Sequence, residues 1–442
     1  MKVLFLFDSF CDDGKPDFNV SPYKRHHINQ KLENTLAFTG WYFVKPYDCL
    51  TFNNNIKSDT TLDFAKTIDF YNNRNKYDHD LVVYPIFTCN DELGMPWQMK
   101  YLSKIIVELV NQNEIKIAMI NFFESDRYDN IWRTMSYYEY FCNQLKIYKK
   151  NNIFIIGNDI NINELPRQYP KDHFRFIVSH GVIRYFLDKI YSLNIDTTKY
   201  IENYINKSDK EKVFLSMVNH GRTSKYFTHQ YLRYNNCLKN SFYSYIHEDH
   251  YDNHKSYPID DLCSQFPIIN EELDKYPDFK KFIIDNPNVG KHFLPQDYLN
   301  TNHHAYNVSN QVVYLNDYWT CNTYFSVINE THFNDLASWI TEKTFKMFYY
   351  GHPFILVGGR NVLKHLREMG FQTFPELFDE SYDSMPCNLD KLMFICDQIK
   401  YYNTEEGIQK LKKITPTLKD KLLYNRNHFI NYDWNQIWKK LL

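Results

Sequence analysis

The chain has 442 residues, of which 43% are apolar, 18% aromatic and 24% charged, with a formal charge of −2. At about 150 residues per domain this is two large domains or three smaller ones, and the apolar content fills real cores, which excludes disordered and collagen-like chains. The near-neutral charge lacks the basic excess of a dedicated nucleic-acid binder. Its 12 glycines never occur as G-x-G or G-x-x-x-x-G-K, which excludes the dinucleotide fingerprint and the P-loop.

The apolar run Val3 to Phe7 stops at Asp8, too short for a signal-peptide core or a membrane span, and no later window supplies eighteen uninterrupted apolar residues. This reads as a soluble cytoplasmic protein, in the host cytoplasm if the source is viral. Nine scattered cysteines without a C-x-x-C read as buried thiols, not as a disulfide framework or zinc site.

Short apolar runs alternating with helical periodicity predict parallel sheets covered by helices. In the first half, strands are predicted at Lys2 to Phe7, Asp80 to Phe87, Ile115 to Phe122, Ile153 to Ile156 and Phe174 to Ser179. Helices are predicted over Pro96 to Asn111 and Asn130 to Leu145. The polar, charged run Asn203 to Lys212 marks the domain boundary, giving an α/β domain at 1–206 and a second at 207–416. There, strands are predicted at Val213 to Met217, Val312 to Leu315, Tyr324 to Ile328 and Pro353 to Val357. Helices are predicted at Lys225 to Leu238, Glu342 to Tyr350 and Val362 to Glu368, and the last stretch, 417–442, has helical spacing.

Ligands of such sheets lie off the carboxyl ends of the strands. After the strand ending at Ile328 comes a polar loop, then a helix that Thr341 caps and that Gly351 and Pro353 terminate. A helix start with Lys343 in its first turn suits a diphosphate, and Glu342 can accept hydrogen bonds from ribose or sugar hydroxyls. A solvated first turn is an equal alternative. After the strand at Val213 to Met217, Arg222 and Lys225 fall near the same sheet edge, where an arginine fork pairs well with phosphate; a basic loop facing water is the competing reading.

Asn329-Glu330, then Trp339-Ile-Thr-Glu-Lys343, a helix, and Gly351-His-Pro-Phe-Ile-Leu-Val-Gly358 together resemble the nucleotide-sugar-binding motif of α-1,3-fucosyltransferase-like glycosyltransferases. In that motif an Asn–Glu or Glu–Asn pair precedes an aromatic-x-Thr/Ser-Glu-Lys helix and a Gly-x-x-Pro strand. The Lys212-Val-Phe-Leu-Ser216 strand with Arg222 behind it is similar to the opening strand of the second domain in such enzymes, and to segments of phage and large-virus proteins. The resemblance implies a GT-B fold: two facing Rossmann-like domains, with donor bound by the second, acceptor by the first, and 417–442 as a C-terminal crossover helix returning to the first. It implies that Glu342 contacts the donor's ribose or sugar, Lys343 and Arg222 its diphosphate, and Glu330 a position near the sugar. Lys225 and Thr341 complete the candidate donor-binding set. Thr344-Phe345 stands where the family has a Leu–aromatic pair, and Pro353 lies one residue closer to Gly351, so the donor sugar and base are left open.

The family's inverting transfer needs a general base within about 3 Å of the acceptor hydroxyl. Among Asp8, Asp91, Glu92, Glu124 and Asp126, which follow first-domain strands, Glu124 is preferred because Ile117 to Phe123 reads as a central strand delivering it; Asp8 is second. His247, His250 and His254 with their neighbouring carboxylates read as a polar loop more readily than as a metal site. Asp78-His79-Asp80 has the D-x-D form of metal-dependent GT-A enzymes but precedes a strand, whereas Glu124-Ser-Asp126 follows one.

The sequence thus predicts a metal-independent glycosyltransferase without a cofactor, using a nucleotide diphosphate sugar as donor. Its hydroxyl acceptor is a glycan or a hydroxylated base in viral DNA, for which Lys100, Lys104, Lys146, Lys149 and Lys150 supply part of a cationic track. Two rivals stay open: a GT-A-type enzyme, and a non-catalytic carbohydrate-binding or structural protein whose 34 Phe and 37 Tyr provide stacking platforms.

Overall fold

The computed structural model describes residues 1–8, 59–88, 102–121, 139–157, 160, 175–178, 195–218, 223–245, 271–287, 315–335 and 338–442. The chain divides into two units, Met1–Ser192 with Asn431–Leu442, and Leu193–Ile430.

In the first unit, strands β1 (Lys2–Phe7), β2 (Thr61–Lys66), β3 (Leu81–Thr88), β4 (Lys116–Asn121), β5 (Ile153–Gly157) and β6 (Arg175–Val178) form one parallel sheet in the order β2-β1-β3-β4-β5-β6. Runs such as Val3 to Phe7 are apolar at successive positions because both faces of the sheet are covered. On one face Leu4, Leu6, Tyr84, Ile117 and Met119 pack with Ile106, Leu109 and Val110. Those three residues form the buried stripe of α2 (Lys104–Asn111), the helix after α1 (Thr67–Asn72). On the other face Val3, Phe5, Phe7, Val83 and Phe154 pack with Trp438 and Leu441 of the 3₁₀ segment Trp434–Leu441, and Trp438 stands edge-on to Phe5 at 4.9 Å. The edge strand β2 alternates exposed Thr61 and Asp63 side chains with half-buried Leu62 and Phe64.

In the second unit, β7 (Lys212–Val218), β8 (Ser241–Tyr245), β9 (Thr323–Asn329) and β10 (Phe354–Val357) form a parallel sheet in the order β10-β9-β7-β8. Its helices are α3 (Thr197–Asn206), α4 (Thr223–Tyr234), α5 (Pro277–Asp285), α6 (Asp317–Cys321), α7 (Glu342–Tyr350), α8 (Val362–Glu368), α9 (Leu389–Tyr402), α10 (Glu405–Ile414) and α11 (Lys419–Asn431). Helix α3 buries Ile201 and Tyr204, and the Tyr204 hydroxyl donates to the Tyr324 carbonyl of β9 at 2.7 Å. The boundary expected at 206 falls at the end of this helix, whereas the units part at 192/193. The segment expected to return at 417–442 is divided: α11 sets Phe429 against Phe345 and Tyr349 in the second unit, and only 431–442 belong to the first. Of the strand expected at Val312 to Leu315, residues 312–314 lie outside the described residues and Leu315 is not in a strand.

Both sheets share a local order in which the opening strand lies between the second and third, β2-β1-β3-β4 and β8-β7-β9-β10. Successive crossovers therefore leave opposite sides of β1 and of β7, which puts a topological switch point between β1 and β3 and another between β7 and β9. Among the described residues no helix is long and apolar enough to cross a membrane.

Candidate functional site

The switch point of the second sheet is built from β9, the loop after it and α7. All seven residues of β9 are buried, and the strand ends at Asn329, with the buried Glu330 directly after it. Helix α7 begins where Thr341, in extended conformation (φ −107°, ψ −178°), turns its hydroxyl to accept from the Lys343 amide at 3.4 Å. It ends in a Schellman motif: the His352 amide donates to Met347 O at 3.0 Å and the Gly351 amide to Phe348 O at 3.3 Å. Gly351 adopts φ +66°, and a Cβ there would meet Ile201 Cγ1 at 2.1 Å, so both the backbone and the packing on α3 require glycine.

Glu330 is fully buried and holds the start of this helix. Its Oε1 accepts from the Thr341 amide at 3.0 Å and the Thr344 hydroxyl at 2.5 Å, and its Oε2 accepts from the Thr341 hydroxyl at 2.6 Å. A carboxylate taken up in this way serves as an anchor: three charge-assisted bonds fix the first turn of α7 against the end of β9. Glu342 and Lys343 follow, with Lys343 Nζ 3.1 Å from Glu342 Oε1, 3.1 Å from Thr341 Oγ1 and 3.4 Å from Thr331 Oγ1. Glu330, Thr341, Glu342 and Lys343 thus form one cluster at the carboxyl edge of the sheet. It presents a helix N-terminus with a cation in its first turn, which is the chemistry of an anion site.

Lys225 lies in the first turn of α4, the helix that follows β7, and is 5% exposed. Arg222 lies outside the described residues. The chain order puts the starts of α4 and α7 after the carboxyl ends of adjacent strands, β7 and β9. In the first unit, Asp8 directly follows β1 at that sheet's switch point. The Tyr84 hydroxyl of β3 donates to Asp8 Oδ2 at 2.6 Å. Burial raises the Asp8 carboxyl above the usual range, against the opposing effect of the Tyr84 bond. Glu124, with Asp91, Glu92 and Asp126, lies outside the described residues.

Two buried residues beside this cluster, Lys346 and His352, escape sequence reasoning, and the motif residue Asn329 has surroundings that no spacing shows. Asn329 is buried, and among the described residues neither amide atom of its side chain has a hydrogen-bond partner, a state that costs about 1–3 kcal/mol per unmade bond. Lys346, in the second turn of α7, is also buried. His352 is fully buried, with Nδ1 2.8 Å from Ser326 Oγ and Nε2 3.2 Å from Thr323 O, and burial lowers its pKa to about 3, so it stays neutral and ties the turn after α7 to β9. A lysine or histidine in such a pattern reads as surface, and only tertiary packing covers it.

Asp78 and Asp80 serve the opposite edge of the first sheet: Asp78 pairs with Lys2 Nζ at 2.9 Å and Asp80 accepts the Lys2 amide at 2.7 Å. Among the described residues no group of three or more His, Cys, Asp or Glu side chains is placed to hold a metal ion, and His247, His250 and His254 lie outside them. An open groove of about 550 Å³, lined by Asn203, Asn206, Lys207, Asp317, Tyr318, Cys321 and Asn322, lies by the amino ends of β7 and β9, away from α7's start. The chain matches no protein-family model, and no curated protein matches it as a relative.

Proposed function

We propose that the chain is a GT-B glycosyltransferase that moves a sugar from a nucleotide diphosphate sugar to a hydroxyl acceptor. The observation that carries this reading is the start of α7, a helix N-terminus pinned by the buried Glu330 and equipped with Lys343 at the switch point of a parallel sheet. The unpartnered amide of Asn329 at the end of β9 supports it, because a polar ligand there satisfies groups the protein leaves unmade.

In the reaction the acceptor hydroxyl gives its proton to a first-unit carboxylate, and its oxygen attacks the anomeric carbon. The bond from that carbon to the phosphate oxygen breaks, and the nucleotide diphosphate leaves with the electron pair. Lys343 and the α7 amides stabilise the charge that develops on the leaving group. Asp8 suits the base role because burial makes its carboxylate a stronger base than an exposed one; Glu124 is the alternative carried by the sequence.

The test is a thermal-shift panel of UDP, GDP, ADP, CDP and dTDP, followed by assay of nucleotide release from the corresponding sugar donors. A ligand at 100 times its Kd stabilises the native state by about 2.7 kcal/mol, and Lys343→Ala and Arg222→Ala should each weaken that effect. If no nucleotide diphosphate shifts the transition, the reading fails. A shift without sugar release or transfer to any hydroxyl acceptor supports a binding protein instead.

A further inference from the structure

Lys346 is 7% exposed, in a helix whose other described members, Lys343 apart, are also buried. Among the described residues its ammonium has no hydrogen bond and no ion pair. The neighbouring carboxylates are already engaged: Glu342 pairs with Lys343, and Glu330 accepts three hydrogen bonds from Thr341 and Thr344. The ammonium is therefore left without a described partner on a buried side chain.

Helix geometry gives this ammonium a direction. Side chains of an α-helix lean toward its N-terminus, and Lys346 lies four residues, about 6 Å of rise, from Glu342. A lysine stem bridges that distance, so the charge lies near the first turn, where it acts on both Glu342 and Lys343.

The elements packed on α7 bring other titratable groups. Helix α3 carries Lys199, Tyr200, Glu202 and Tyr204, α11 carries Arg426 and His428, and the chain after β9 carries Glu330 and His332. Of all these and the helix's own charges, only Glu342 and Lys343 act on Lys346.

We propose that Lys346 is a second cationic contact for phosphate at the start of α7, so that this site takes a diphosphate in preference to a monophosphate and holds it tightly while Lys346 is protonated. The inference rests on reading α7 as the donor site. Burial, the largest influence, lowers the Lys346 pKa to about 8, so the contact is lost within an accessible pH range. Arginine at this position keeps its charge throughout that range.

The experiment is calorimetric titration of the full chain with UDP, GDP, ADP, CDP, dTDP and UMP between pH 7.5 and 9.5, where the phosphate groups of these nucleotides keep a constant charge. For the tightest-binding diphosphate, wild-type affinity should fall about tenfold or more across this range. Lys346→Met should weaken binding about tenfold at pH 7.5 and flatten the profile, UMP affinity changing less. Lys346→Arg should retain affinity at pH 7.5 with a flat profile.

A flat wild-type profile, or a folded Lys346→Met that binds diphosphates as wild type does, overturns the inference and leaves the donor-site reading standing. That second outcome assigns Lys346 to balancing the buried charge of Glu342. If Lys346→Met does not fold, the wild-type and Lys346→Arg profiles decide. Absence of binding by wild type to every probe at every pH removes the donor-site reading itself, and this inference with it.

Discussion

The two sheets have the same local strand order, yet they treat the carboxylate at the switch point in opposite ways. In the first, burial raises the Asp8 pKa, although the Tyr84 hydroxyl donates to the carboxylate and Tyr84 and Thr67 both favour its ionised form. In the second, Glu330 accepts three hydrogen bonds and fixes the start of α7. A carboxylate whose bonds pin a helix start acts as an anchor, whereas one whose pKa is raised by burial is the stronger base and costs stability when ionised. Topology sets where a group stands, and its surroundings set what it does there.

The largest effect that sharpens this contrast is on turnover. If Asp8 is the base, Asp8→Asn should lower sugar transfer by about 10²- to 10⁴-fold, with nucleotide affinity unchanged. Because a carboxyl whose folded pKa is raised disfavours folding once it ionises, the same change should leave thermal stability equal or higher. Glu124→Gln is the matched control. Loss of turnover there, with Asp8→Asn unaffected, moves the base to Glu124 and breaks the contrast.

Glu330→Ala should act in the other direction. It leaves the Thr341 amide and two buried hydroxyls without an acceptor, which predicts a loss of about 2–4 kcal/mol in urea unfolding, from about 1–3 kcal/mol per unmade bond with partial relaxation. Nucleotide binding should weaken only as far as the start of α7 is disordered. An Ala variant with wild-type stability would show that Glu330 is held for function and not as an anchor.

The elements around this anchor were legible in the sequence to within a residue. The helix expected at Glu342 to Tyr350 has those bounds, β9 is one residue longer at each end than the expected strand, and β10 starts one residue later. Their signals are local: a Thr cap, a glycine that must take positive φ, and a proline after it. Strands β2 and β8 were not legible, because Thr61 to Lys66 alternates like a surface segment and Ser241 to Tyr245 mixes serine with tyrosine. The role of Glu330 was hidden for a different reason, since its partners stand 11 and 14 residues further on and are brought back by the folded loop. The burial of His352 likewise depends on Tyr204 of α3 and on β9, and that of Lys346 is a tertiary fact too, which no local spacing encodes.

His352 offers a pH test of the second sheet alone. Its folded pKa of about 3 lies below the ordinary 6.5, so the unfolded chain binds the extra proton first. Its contribution is complete above about pH 6.5 and is lost as pH falls from there toward 3, at up to about 1.4 kcal/mol per pH unit. Urea midpoints measured from pH 7 to 5 should therefore fall more steeply for wild type than for His352→Gln, which has no such titration. Parallel profiles would mean that the imidazole is protonated without cost and that the ties to Ser326 and Thr323 are weak.

The smallest effect returns to the first sheet and separates the position of Asp8 from its basicity. Tyr84→Phe removes the 2.6 Å hydrogen bond while keeping the ring in the core that faces α2. That bond favours the ionised carboxylate, so its loss should raise the Asp8 pKa further and move the acidic limb of the pH–rate profile upward. Below that limb turnover should fall by no more than about tenfold, the worth of a net hydrogen bond of about 1 kcal/mol, and above it the rate should approach wild type. A uniform drop at every pH would instead mean that Tyr84 orients Asp8 and does not tune it. An unchanged limb would mean that the titrating base is not Asp8, and the contrast between the two switch points would then rest on Glu330 alone.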